Sequence, residues 1–88
     1  KLSIDVKAAR KPYNLLVKEK DAKDCADILI LAGISGDDVS LIGWEHKSLM
    51  VLSPVKEFGY GIRNHYRGRK RLREMEQLKD LIVKGDEL

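Results

Sequence analysis

The sequence predicts one small α/β domain, with a mixed or mainly antiparallel sheet of about four strands and a helix at the C-terminal end. Three observations carry this. Four apolar runs of strand length fill the first half of the chain. The last segment places Leu72, Met75, Leu78, Leu81 and Ile82 three and four residues apart among charges, which is one face of a helix. The chain has 88 residues, 43% of them hydrophobic and 35% charged, which suits one globular domain (1–88) and not a disordered chain. A domain of this size has a thin core and is marginal unless an exposed face is covered.

The elements follow in order. The first run is Leu2 to Arg10, and its alternation turns Ile4, Val6 and Ala8 toward a core. The second is Asn14 to Lys18, after Pro12, which cannot donate to a ladder. Glu19 to Cys25 is polar and reads as a loop or a single helical turn. Ala26 to Ile34 is almost continuously apolar, so it belongs at the centre of the sheet with both faces buried. Ser35-Gly36-Asp37-Asp38 joins it to Val39–Trp44 as an antiparallel hairpin. Ser48 to Val55 fits a short helix or a strand ending before Pro54. Phe58 to Gly68 reads as an ordered but irregular loop, and Gly85 as the stop of the final helix. Trp44 is expected in the core.

No apolar stretch approaches the roughly 20 residues that a membrane helix needs. The opening Lys-Leu-Ser lacks the pattern of a secretory leader, and without an initiator Met the chain reads as a fragment or a processed form. The closing Gly-Asp-Glu-Leu has Gly where an endoplasmic-reticulum retention tail has Lys. Cys25 is the only cysteine, which excludes an intrachain disulfide and favours an intracellular, cytoplasmic setting.

Chemistry concentrates in two places. In the first strand, Asp5 and Lys7 share the face opposite Ile4 and Val6, about 7 Å apart along the strand. A carboxylate there can bind a divalent cation, and the ammonium can orient a water or offset phosphate charge. The bland alternative is an edge strand with a solvent-facing acid and base.

The second place runs from Gly61 to Arg73. It holds six Arg or Lys and no acid, on a chain whose net charge is +3, so the remainder carries −3. Arg63, Arg67, Arg69, Lys70, Arg71 and Arg73 suit a phosphate backbone, with Tyr60, Tyr66 and His65 interleaved as surfaces for unpaired bases. Arg10 and Lys11 extend this track from the end of the first strand, against an ordinary turn around Pro12. The bland alternative is a solvated run tied to nearby acids such as Glu74 and Glu76.

Asp5-Val6-Lys7, the short strand Asn14–Val17, the run Ala26–Ala32, then Val39–Trp44 and the stretch Phe58 to Tyr66 together resemble, in that order, the second half of a PD-(D/E)XK nuclease-superfamily domain. The resemblance is to the small phage- or virus-encoded kind and spans Ile4 to Leu81. It implies a partial restriction-endonuclease-like core and metal-dependent hydrolysis of phosphodiester bonds, in DNA rather than RNA. It further implies Mg²⁺ (or Mn²⁺) on the Asp5 carboxylate and the Val6 carbonyl, with Lys7 positioning the attacking water. The family also has an acid upstream, and this chain begins four residues before Asp5. The missing acid is then expected from a preceding segment or a second chain, a homodimer being one arrangement. The rival reading is a nucleic-acid-binding module without catalysis. A rival placement of the motif is Glu45-His46-Lys47, with Asp27 as the upstream acid.

Overall fold

A computed structural model of the chain describes residues 2–87, with side-chain surroundings given as far as Ile82. Lys1 and Leu88, the ends on which the leader and retention-tail readings rest, lie outside the described residues. The expected α/β class holds, but the strands form two sheets of three, not one of about four. The first sheet has the order β1 (Ile4–Ala9), β3 (Ile28–Ser35), β4 (Asp38–His46). The second has the order β2 (Asn14–Lys18), β6 (Arg63–Gly68), β5 (Val55–Glu57). A 3-10 turn at Glu19–Asp24 and the one-turn helix α1 (Lys47–Met50) lie between strands, and α2 (Met75–Glu87) closes the chain.

β3 is central, as its apolar run predicts. It pairs parallel with β1 and antiparallel with β4, and every residue from Ile28 to Ala32 is buried. Its two faces meet different partners. Leu29 and Leu31 pack against Leu15 and Val17 of β2, with Ala22 and Met50, so the two sheets face each other. Ile28 and Ile30 turn the other way, under Trp44 and Leu78, where α2 covers the sheet. The hairpin to β4 closes with Ser35 opposite Asp38, so only Gly36 and Asp37 lie in the loop. Gly36 has φ +60°, the left-handed conformation that such short loops require. A bulge places Ile42 between the partners of Leu31 and Ala32 and turns it, half-buried, toward the inter-sheet core.

Three expectations need correction. Ile4 and Val6 are not core: they are 43% and 49% exposed, and Ala8 is exposed too. Alternation groups them on one face, but α2 covers β3 and β4, leaving the edge strand β1 bare. Residues 58–68 are not one irregular loop, because Arg63–Gly68 is the middle strand of the second sheet. Its polar sequence hides it. Asn64 is buried, and Tyr66 is half-buried against Phe58 with ring centroids 5.6 Å apart. The last helix begins at Met75, after Leu72, and runs through Gly85.

Leu72 and Arg73 instead lie against β4. Trp44 and Arg73 exchange two backbone hydrogen bonds, 3.1 and 2.9 Å. Gly43 permits this approach, since a Cβ there would stand 2.7 Å from Leu72 Cβ and 3.0 Å from the Arg73 carbonyl. The indole of Trp44, buried as expected, donates to the Glu74 carbonyl at 2.8 Å. Among the described residues no helix is long and apolar enough to cross a membrane.

Candidate functional site

β1 is one edge of its sheet and has no neighbour on its outer side among the described residues. Ile28 N–H donates to the Ser3 carbonyl at 3.0 Å, which sets the alternation of the parallel ladder. Ser3, Asp5 and Lys7 therefore turn their carbonyls toward β3, and Val6 turns its own toward the free edge. The side chains of Asp5 and Lys7 share the face that looks toward the second sheet, in register with Leu29 and Leu31. Toward the middle of the sheet that face is core; at its edge it opens to solvent. Asp5 Oδ2 and Lys7 Nζ are 2.9 Å apart, and both side chains are about half exposed.

The pair lines an open groove between β1 and the second sheet. Ser3, Lys18 and Asn64 line it too, as do Asp21 and Asp24 of the 3-10 turn. The groove thus holds three acids, but no three His, Cys, Asp or Glu side chains among the described residues lie close enough together to hold a metal ion. For Mg²⁺ the β1 donors are one carboxylate, Asp5, and the edge carbonyl of Val6. That fits an ion bound through one or two carboxylates, with water and substrate phosphate completing its shell, and makes the site weak.

The rival placement is built into the fold. Glu45 is 1% exposed and accepts from Arg73 Nε at 2.7 Å and from its neighbour's His46 N–H at 2.9 Å. Its second oxygen lies 3.2 Å from Arg67 Nε. Lys47 Nζ donates to the Lys23 carbonyl. Asp27 accepts from both Ser3 N–H (3.0 Å) and Ser3 Oγ (3.1 Å), ahead of β3. Those bonds, the backbone one first, hold its carboxyl below the ordinary value, with a smaller contribution from Lys47. Glu45, Lys47 and Asp27 thus tie elements together, and both oxygens of Glu45 are already engaged.

The cationic residues divide in the same way. Arg67 and Arg73 hold Glu45, and Arg63 pairs with Glu19 at 3.1 Å. Arg10, Lys11, Arg69, Lys70 and Arg71 make no ion pair among the described residues. The fold sets the two segments that carry them side by side. Arg69 N–H donates to the Tyr13 carbonyl at 2.9 Å, so the 3-10 turn Arg69–Arg71 lies beside the segment joining β1 to β2. Arg10 follows Lys7 by three residues, at most about 11 Å of chain. The cluster therefore begins where the Asp5–Lys7 strand ends.

The aromatic residues sort differently from expectation. His65 is half-buried with Nδ1 2.9 Å from the Ser53 carbonyl, and Tyr66 packs on Phe58. The most exposed aromatic residues are Tyr13 and Tyr60, at 66% and 103%, ahead of Phe58 at 41%. Sequence reasoning passed over Tyr13; its place between Lys11 and the turn after Pro12 was the available signal. Comparison with protein-family models, with curated proteins and with solved structures finds no match in any of the three.

Proposed function

We propose that this chain carries the acid-x-Lys half of the active site of a divalent-metal-dependent DNA endonuclease. One observation supports it above the rest: the Asp5 carboxylate and the Lys7 ammonium stand together, half exposed, on a free edge where the Val6 carbonyl also points outward. Among the described residues the two make no ion pair except with each other, and a cluster of cations without ion pairs begins three residues on.

Asp5 and the Val6 carbonyl would hold Mg²⁺ or Mn²⁺. When bound, that ion supplies polarisation of a phosphoryl oxygen and of an attacking water. The remaining work falls to the chain. Lys7 orients the water by hydrogen bonding and offsets negative charge growing on the phosphate oxygens. Hydrolysis forms one bond from water oxygen to phosphorus and breaks one from phosphorus to the ester oxygen, which leaves with a proton. Arg10, Lys11 and Arg69–Arg71 hold the flanking phosphates. The further acid comes from a preceding segment or from a second chain, and the proposed setting is intracellular.

The experiment scores DNA retention and DNA cleavage together, with and without Mg²⁺. In the nuclease completed by the segment or chain that supplies the further acid, the proposal expects Mg²⁺-dependent product that Asp5→Ala and Lys7→Ala abolish while retention and the folded circular-dichroism spectrum persist. Cleavage unchanged by both substitutions overturns it. A second reading, a binding module without catalysis, is favoured by the lack of a three-ligand cluster among the described residues. It expects retention with no product under any metal.

A further inference from the structure

We propose that Tyr13 is a base-stacking residue, and that the nucleic acid suited to this surface has unpaired bases, as a single strand or a frayed end; this rests on the nucleic-acid reading above.

Tyr13 is held in place yet left uncovered. Its N–H donates to the Lys11 carbonyl at 2.9 Å and its carbonyl accepts from Arg69 N–H at 2.9 Å, so both backbone groups are fixed. The preceding Pro12 is packed against the sheet, with Cγ 3.1 Å from where a Cβ on Gly33 would stand. The next inward-facing position, Leu15, is completely buried. Tyr13 as a whole nonetheless remains 66% exposed. A fixed backbone that presents an aromatic ring to water loses little entropy when a flat partner covers that ring.

The surroundings name the partner. Arg10 and Lys11 precede Tyr13, and Arg69, Lys70 and Arg71 lie across from it, all without ion pairs among the described residues. Cations beside an exposed ring are the combination that binds single strands: the charges hold phosphates and the ring takes a base. A paired duplex keeps its base faces stacked inside, so Tyr13 adds little to duplex binding. Tyr60 offers a comparison. It is fully exposed at the β5–β6 turn, but the adjoining charges are mixed, with Glu57 near Gly61 and Glu19 paired to Arg63. It sits at the end of β6 opposite to Arg69.

The test measures fluorescence anisotropy of the chain with a labelled oligothymidylate and with a duplex of equal length, across a salt series. Stacking of one base predicts that Tyr13→Ala weakens single-strand binding roughly 5- to 150-fold. It also predicts that duplex binding changes less than twofold, and that Tyr13→Phe and Tyr60→Ala stay near wild type. A photoreactive halogenated uracil in the strand should crosslink to Tyr13. Salt-dependent binding that Tyr13→Ala leaves unchanged, or weakens equally for both substrates, overturns the stacking role alone. Absence of salt-dependent binding by the wild-type chain overturns the nucleic-acid reading beneath it.

Discussion

Glu45 and Asp27 show how similar side chains do different work according to what meets them. Glu45 is buried with two guanidinium groups on its carboxylate, so Glu45→Ala leaves Arg67 and Arg73 without their partner. The arginines left behind are 30% and 41% exposed, so a loss of about 1–3 kcal/mol is expected, read from the denaturant midpoint. Asp27 sits in water and binds Ser3. Its carboxyl is held below the ordinary value, so it stabilises the fold at pH above the unfolded value, about 3.9. That stabilisation disappears as pH falls through the lower folded value. Asp27→Asn should therefore lower stability at neutral pH and flatten its acid dependence, as thermal melts between pH 2 and 6 would show. Neither residue's role was legible locally. The letters around Glu45 and Lys47 fit the nuclease motif, while the arginines that claim Glu45 lie 22 and 28 residues further on. By contrast, the shared face of Asp5 and Lys7 needs only strand periodicity, and it was readable.

Among the elements, β3 was legible because an unbroken apolar run has one comfortable place, between two covered faces. β6 was not, because its sequence, RNHYRG, is polar and aromatic. The apolar contribution to that sheet comes from Leu15 and Val17 on its partner β2. β1 was half legible: alternation groups Ile4 with Val6, but says nothing of what lies over them. The junction of β4 with residues 72–73 depends on a missing side chain. Gly43→Ala should push Leu72 and Arg73 away from the sheet and cost about 1–3 kcal/mol. A companion substitution, Leu29→Ala, removes a completely buried side chain between the sheets and should cost about 2–5 kcal/mol. Urea denaturation of both variants separates the two effects: Gly43→Ala should also change the environment of Trp44, and hence its fluorescence.

Across the molecule, the formal charge of +3 understates the local field. Three of the eight expected phosphate-binding cations are held by acids, and five remain without ion pairs among the described residues. The salt dependence of nucleic-acid binding should report that division. Replacing any one of Arg69, Lys70 or Arg71 should reduce the logarithmic salt slope by roughly 0.7 on single strands or 0.9 on duplex. Arg73→Ala should instead reduce stability more than slope.

Asp5 and Lys7 are the proposed working pair at the sheet edge. Mn²⁺ titration of the isotopically labelled chain, followed by paramagnetic broadening of backbone amides, examines it without needing turnover. Saturable broadening centred on β1 and the adjoining groove, absent in a folded Asp5→Asn variant, is the predicted result. Broadening that survives Asp5→Asn, or that centres on the Asp37–Asp38 turn and spares β1, would contradict it.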